Sequence, residues 1–167
     1  MSDRRIPVQQ LEAEAFAPFG EVLEAAGEPV RVINQGLCHR FHDRALLDFG
    51  EATGGRAGIS LFQAEPRALP LSLALVERHP EGSQAFLPMT PEPFLVVVAP
   101  DEEGRPGRPL AFVTRPGQGV NYRRGIWHGV LMPLGPTGLF AVVDRIGPTP
   151  NLEEHWFDEP WTVVAEA

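Results

Sequence analysis

Residues 77–84 read Glu77-Arg78-His79-Pro80-Glu81-Gly82-Ser83-Gln84, the densest polar cluster in a stretch that is otherwise apolar. The apolar segment Leu69–Val76 precedes it and Gln84–Leu87 closes it. Pro80 and Gly82 mark a turn, because proline presets φ and lacks an N–H while glycine tolerates tight backbone conformations. The octet is therefore read as the connection between two strands. Side chains alternate across a strand, so Glu77 and His79 project from one face and Arg78 from the other. On an interior face, Glu77 and His79 would converge, and Gln84 would return to the same place from the next strand.

Outward from this connection the pattern is of short apolar segments separated by turn residues. Eighteen Pro and 17 Gly interrupt the chain at short intervals, which leaves room for many short strands and few long helices. Nine segments are expected as strands: Ile6–Leu11, Val30–Ile33, Ile59–Phe62, Leu69–Val76, Gln84–Leu87, Phe94–Ala99, Leu110–Val113, Val120–Tyr122 and Leu139–Ile146. Such a series predicts an all-β barrel or sandwich. Two short peripheral helices are expected, Glu12–Phe19 and Asn151–Phe157, the second with Asn151 as N-cap and Glu153 and Glu154 in its first turn. Ala52–Gly58 and Asp101–Pro109 are Gly- and charge-rich without periodicity and are expected as exposed hairpin loops. Neither has the spacing of a nucleotide-binding loop. No internal repeat or domain boundary is evident, so residues 1–167 are read as one domain, with 43% apolar residues to build a core.

A second polar cluster spans Gly117-Gln118-Gly119-Val120-Asn121-Tyr122-Arg123-Arg124-Gly125-Ile126-Trp127-His128, in which a glycine-bounded strand and turn deliver a histidine beside an aromatic. Together the two clusters resemble the paired motifs of the cupin superfamily of small β-barrels, HxH(x)4E and G(x)5PxG(x)2H. Glu77, His79 and Gln84 occupy the three positions of the first motif; Gly117, Gly125 and His128 match the second, with Arg123 in place of its Pro. The fold expected from this resemblance is a double-stranded β-helix barrel. Taken singly, each residue has a plainer reading: a His near a strand end is commonly a surface or hydrogen-bonded residue, and Gln84 can satisfy buried backbone groups. Taken together, Glu77, His79, Gln84 and His128 form a mixed N and O donor set suited to a borderline divalent ion such as nickel, manganese, zinc or iron(II).

Beyond the superfamily, the chain resembles the ureidoglycolate lyase family, formerly called ureidoglycolate hydrolase, essentially from end to end. Ala15-Phe16, Ile33-Asn34, Gly36-Leu37, Arg40, His42-Asp43, the stretch Glu77-Arg78-His79-Pro80 with Gln84-Ala85-Phe86 and Pro88-Met89, Gly119-Val120-Asn121-Tyr122, Trp127-His128 and Asp144-Arg145 carry it. Gly129-Val130 after His128 departs from the expected His- or Pro-rich continuation. The resemblance implies cleavage of ureidoglycolate to glyoxylate and urea in allantoin degradation, a homodimer, a cytoplasmic location and a nickel cofactor. Another cupin enzyme, such as a sugar isomerase or a metal dioxygenase, would use the same four positions, and so would a non-catalytic ligand-binding cupin.

The chemistry implied needs a base for a hydroxyl proton, an acid for a departing nitrogen and a stabiliser for developing alkoxide charge, and His79, His128 and Glu77 are the candidates. Arg40 and His42 share strand parity and are candidates for the substrate; a guanidinium fork suits a carboxylate, and an ion pair of Arg40 with Asp43 is the alternative. Asn121, Tyr122, Arg123 and Ser60 are weaker candidates for lining the pocket, and Trp127 is read as packing. Adjacent strand residues face opposite ways, so Cys38-His39 is not read as a nucleophile and its base.

Composition narrows the classes further. All 14 basic residues are Arg. Without Lys, Schiff-base chemistry and a Walker-type phosphate lysine are excluded. A formal charge of −8 argues against nucleic acid and for a small-molecule substrate. The longest apolar run, Phe94–Ala99, is far short of the roughly 20 residues a membrane helix needs. One cysteine, Cys38, cannot form an internal disulfide, and Met1–Gln10 has no apolar stretch resembling a signal peptide, which suits a reducing cytoplasm.

Overall fold

All nine segments expected as strands are strands in the structure, a computed structural model that describes residues 3–166, with ends that shift by a few residues. In chain order the strands are β1 Arg5–Gln10, β2 Gly20–Leu23, β3 Arg31–Ile33, β4 Cys38–Arg40, β5 Arg56–Gln63, β6 Leu71–Arg78, β7 Gln84–Pro88 and β8 Phe94–Ala99. They continue as β9 Asp101–Glu102, β10 Arg105–Pro106, β11 Leu110–Val113, β12 Gly119–Tyr122, β13 Trp127–His128, β14 Met132–Pro133, β15 Leu139–Ile146 and β16 Glu153–Val164. One α-helical turn, α1 Ala13–Phe16, joins β1 to β2.

The strands form two main sheets. The first runs β11-β1-β16-β6-β13-β8-β14, and β8 also pairs with β11, so six strands close into a ring. The second runs β2-β12-β7-β15-β5 and packs against the outside of that ring. Phe94–Ala99 is uniformly apolar because β8 is buried on both faces. Leu95, Val97 and Ala99 point into the ring with Ile6, Leu73 and Trp127, whereas Phe94, Val96 and Val98 point between the sheets with Phe86, Phe112 and Phe140. This is an all-β cupin-like barrel, as the sequence predicted.

A register irregularity in the pairing of β6 with β16 positions the functional region. Leu71 and Leu73 face the ring interior, and strict alternation would carry Glu77 into the same apolar core. Instead the pairing with β16 jumps from Trp161 opposite Leu73 to Trp156 opposite Leu75, and Val76 faces that core. The irregularity turns Glu77 to the opposite face, toward the seam between the sheets, a re-aiming that β-bulges commonly perform.

Three local expectations are corrected. Asn151–Phe157 is not a helix: residues from Glu153 onward belong to the long strand β16, where cross-strand pairing with β6 and burial of Trp161 and Val163 outweigh the local helix-start pattern. The helix expected over Glu12–Phe19 is a single turn that drops Phe16 and Phe19 into the core before β2 begins at Gly20. In Ala52–Gly58, a 3-10 turn ends at Thr53 and β5 has begun by Arg56. Asp101–Pro109 does contain a hairpin, β9–β10.

The inter-sheet core holds the two sheets together. Phe112 has no exposed surface and meets Phe16 edge-on at 6.1 Å between ring centroids. Phe112→Ala is expected to lower unfolding free energy in urea by about 3–5 kcal/mol. A loss under about 1 kcal/mol would mean that the seam collapses onto the cavity with little penalty.

Candidate active site

At one end of the seam two rows of side chains face each other. On the first sheet His128 of β13 stands opposite Glu77 of β6, which stands opposite Glu154 of β16. On the second sheet Tyr122 of β12 stands opposite Gln84 of β7, which stands opposite Asp144 of β15. Residues 79–83 cross from one sheet to the other and carry His79. The rings of Tyr122 and His128 stack across the seam at 4.2 Å with planes 3° apart, and the His79 ring centroid lies 5.2 Å from that of His128.

Backbone chemistry explains how the crossing is held. The Glu81 N–H donates to Asn151 Oδ1 at 2.7 Å, and the Ser83 N–H donates to the Asp48 carbonyl at 2.7 Å. Gly82 is needed for close approach, since a Cβ there would lie 2.9 Å from the Asp48 carbonyl oxygen. Gly125, at φ 77°, turns the chain from β12 into β13 and donates its N–H to the His79 carbonyl at 2.9 Å. The two sequence clusters are thereby tied to each other.

His128 is 1% exposed. Its Nδ1 donates to the Gly129 carbonyl at 2.9 Å, which fixes the tautomer and leaves a lone pair on Nε2 with no hydrogen-bond partner among the described residues. Burial, and secondarily the charge of His79, pushes the imidazole down to about 3, so His128 is neutral at physiological pH. Glu77 is half-buried, and desolvation raises its carboxyl above the ordinary value; His79 opposes this and Glu154 reinforces it. Burial, aided by the Glu77 charge, raises the Tyr122 phenol, which stays protonated. His79 donates from Nδ1 to the Asn151 carbonyl at 2.8 Å, and its Nε2 lies 3.0 Å from Gln84 Oε1. Gln84 in turn donates from Nε2 to Asp144 Oδ2 at 3.1 Å.

One ligand atom each from Glu77, His79 and His128 lies within 4.8 Å of the others. An unpartnered imidazole nitrogen facing a carboxylate and a second imidazole is a donor set that fits a borderline divalent cation. Gln84 Oε1, beside His79 Nε2, adds a fourth donor atom at the same place.

The remaining sequence candidates divide by location. Tyr122 joins the cluster through its stack on His128. Asn121, its neighbour on β12, faces the opposite side of the sheet, where its Nδ2 donates to Glu21 at 2.8 Å and to the Leu46 carbonyl at 3.2 Å. Arg123 is exposed and bonded to Glu21 and the Ala17 carbonyl. Ser60 sits on edge strand β5 opposite Val142, one pleat from the Gln84–Asp144 row. Arg40 lies on the exposed β3–β4 hairpin directly opposite Arg31, and His42 is half-buried in the irregular segment that follows. Neither has a hydrogen bond or ion pair to the cluster among the described residues. Asp144, Asn151 and Glu154 were not anticipated. Asp144 had a signal, as the acid that continues the inward series Phe140, Val142 along β15.

Comparison with known proteins identifies the family. The family described as Ureidoglycolate lyase matches residues 3–164. The ureidoglycolate lyase of Rhodobacter capsulatus is 58% identical over 159 residues, covering 95% of this chain and 98% of the relative. That of Chelativorans sp. is 52% identical over 160 residues, covering 96% of each. Among solved structures, a dTDP sugar isomerase from Desulfovibrio desulfuricans aligns with a TM-score of 0.45 and 18% identity over 84% of this chain and 81% of that one. A family match that runs nearly the length of the chain, with relatives more than half identical over almost all of their own, means that the chain belongs to the ureidoglycolate lyase family.

Proposed function

We propose that the protein cleaves ureidoglycolate to glyoxylate and urea by carbon–nitrogen elimination at the Glu77–His79–Gln84–His128 cluster. One observation carries this: in a chain 58% identical to a ureidoglycolate lyase, the seam between the sheets gathers a carboxylate and two imidazoles within 4.8 Å. In the reaction the hydroxyl on the reacting carbon loses its proton, the carbon–oxygen bond becomes a carbonyl, and the carbon–nitrogen bond breaks. The proton goes to the departing urea nitrogen, and water is not consumed.

The residues divide this work. Glu77, His79, Gln84 and His128 would hold a divalent ion, nickel by family resemblance, which supplies Lewis-acid polarisation of the hydroxyl and a template for orientation. Glu77 is suited to move the proton, since burial raises its carboxyl and a carboxylate has two oxygens, one to hold and one to accept and return. His128 presents a neutral Nε2 fixed by the Gly129 carbonyl and by the Tyr122 ring. We place the activity in cytoplasmic allantoin degradation and the chain in a homodimer, both from the family resemblance; no helix among the described residues is long and apolar enough to cross a membrane. Incubating the purified protein with ureidoglycolate, with and without a chelator, tests the reading. Glyoxylate formation that the chelator abolishes and nickel restores is the expected result, and no glyoxylate under any metal would sink it.

Arg40 is proposed to bind the substrate carboxylate. Its guanidinium is exposed, and no ion pair engages it among the described residues. An ammonium cannot reproduce a fork of two parallel hydrogen bonds, so Arg40→Lys is expected to raise KM about tenfold with kcat little changed. An unchanged KM would return Arg40 to the surface.

A further inference from the structure

On β15 the residue after Asp144 points the other way, to the outer face of the second sheet, and there Arg145 is buried, only 7% exposed. No carboxylate lies within ion-pair distance of it among the described residues, and its Nε has no hydrogen-bond partner. A guanidinium held this way adds little stability, because burial removes hydration that no opposite charge replaces. What it makes is a set of hydrogen bonds to two separate loops. Nη2 donates to Thr149 Oγ1 at 2.6 Å and to the carbonyl and hydroxyl of Thr53, each at 3.3 Å, while Nη1 donates to the Thr149 carbonyl at 3.4 Å.

Both loops grip the crossing that carries His79. From the first, Thr53 Oγ1 donates to Glu81 Oε2 at 2.5 Å, and Asp48 exchanges backbone and side-chain hydrogen bonds with Ser83. From the second, two residues past Thr149, Asn151 accepts from the Glu81 N–H through its side chain and from His79 Nδ1 through its carbonyl. The crossing also rests on the arginine stem, since a Cβ at Gly82 would lie 3.0 Å from Arg145 Cβ. The guanidinium is packed as closely: a Cβ at Gly55 would lie 2.6 Å from Nε. Arg145 therefore touches all three segments, and no other described residue hydrogen-bonds to both Thr53 and Thr149.

We propose that Arg145 is a positioning residue for the reaction: by tying residues 48–55 and 147–151 together behind the crossing, it fixes where His79 stands. The inference rests on the lyase reading for its kinetic consequence but not for its structural one. Arg145 faces away from the seam, so it acts on the site only through the crossing and Asn151.

The test uses two variants of the full chain. Arg145→Met keeps an unbranched stem against Gly82 and removes the fork, whereas Thr149→Val keeps the charge and removes the best acceptor. Amide exchange followed by NMR without added metal is the first readout. In both variants the Glu81 and Ser83 amides are expected to exchange at least about tenfold faster, while amides at the centre of β7 and β15 keep their rates. On ureidoglycolate, kcat is expected to fall about tenfold with KM little changed, the low end of what loss of a ligand-orienting partner costs. Added to His79→Ala, Arg145→Met should cost nothing more in kcat, because it acts through that residue; general damage to the fold would add its loss in either background. Unchanged exchange at Glu81 and Ser83, an effect of Arg145→Met that a folded Thr149→Val lacks, or losses that multiply in the double variant would overturn the role. If one variant does not fold, the other decides by the same readouts. If the unaltered protein made no glyoxylate, the lyase reading would fall, while the exchange rates would still decide what Arg145 holds.

Discussion

His128→Ala is expected to lower turnover of ureidoglycolate at least about 10²-fold, the loss typical when a positioned acid/base or metal-holding group is removed. The histidine is buried in the seam, its tautomer is locked by the Gly129 carbonyl, and its Nε2 aims at Glu77 and His79. Nothing else among the described residues occupies that position on the first sheet. Alanine also removes the ring stacked on Tyr122, so circular dichroism and thermal melting must accompany the kinetics to separate lost chemistry from lost fold. His79→Ala should lose a comparable factor, since it removes the other imidazole while leaving the inter-sheet core intact. Near-normal turnover in both folded variants would reject the cluster as the site.

Glu77→Gln should reduce kcat by a similar or larger factor, about 10²–10⁴-fold, because the amide keeps the shape but cannot take and return a proton. Its stability signature is opposite in sign. Burial raises the Glu77 carboxyl, so in protein stripped of metal the ionised form is the one the fold disfavours. The contribution of Glu77 to stability is therefore fully present below its ordinary value of 4.5 and is lost as pH rises through the raised one. The Gln variant escapes that loss. Its melting temperature, relative to the unaltered protein, should be higher at neutral pH than at pH 4, and a gap that widened toward acid would contradict the assigned direction.

What the sequence made legible follows from which residues carried their structure locally. Phe94–Ala99 could be read as a strand because β8 is buried on both faces, and Leu110–Val113 because it lies beside β8 in the closed ring. Strand β16 was hidden because Asn151, Glu153 and Glu154 imitate the first turn of a helix, and only pairing with β6 over a long sequence separation overrides them. The two-residue strands β13 and β14 are too short to show any period. Within the site, Glu77, His79, Gln84 and His128 were found through motif spacing, although alternation through β6 would have sent Glu77 into the apolar ring without the irregularity near Leu75. Asn121 and Tyr122 are adjacent on one strand, so strand parity alone allowed only one of them to face the seam. Asn151 meets His79 through its backbone carbonyl, which has no side-chain signature, and only its contact with the Glu81 N–H uses the side chain.

The central claim is elimination rather than hydrolysis, and the nitrogen balance of the reaction separates them. Hydrolysis of the ureido carbonyl would require an activated water aimed at that carbonyl and donors for a tetrahedral oxyanion, two further demands on the site. The chain has no Lys, its sequence shows no Ser-His-Asp arrangement, and its one Cys is half-buried on β4 outside the cluster. Breaking the carbon–nitrogen bond at the hydroxyl-bearing carbon needs only the one convergent cluster. With purified protein and ureidoglycolate, the products are expected to be glyoxylate and urea in equal amounts, with ammonia appearing only after urease is added. Two ammonia per glyoxylate in the absence of urease would contradict the account.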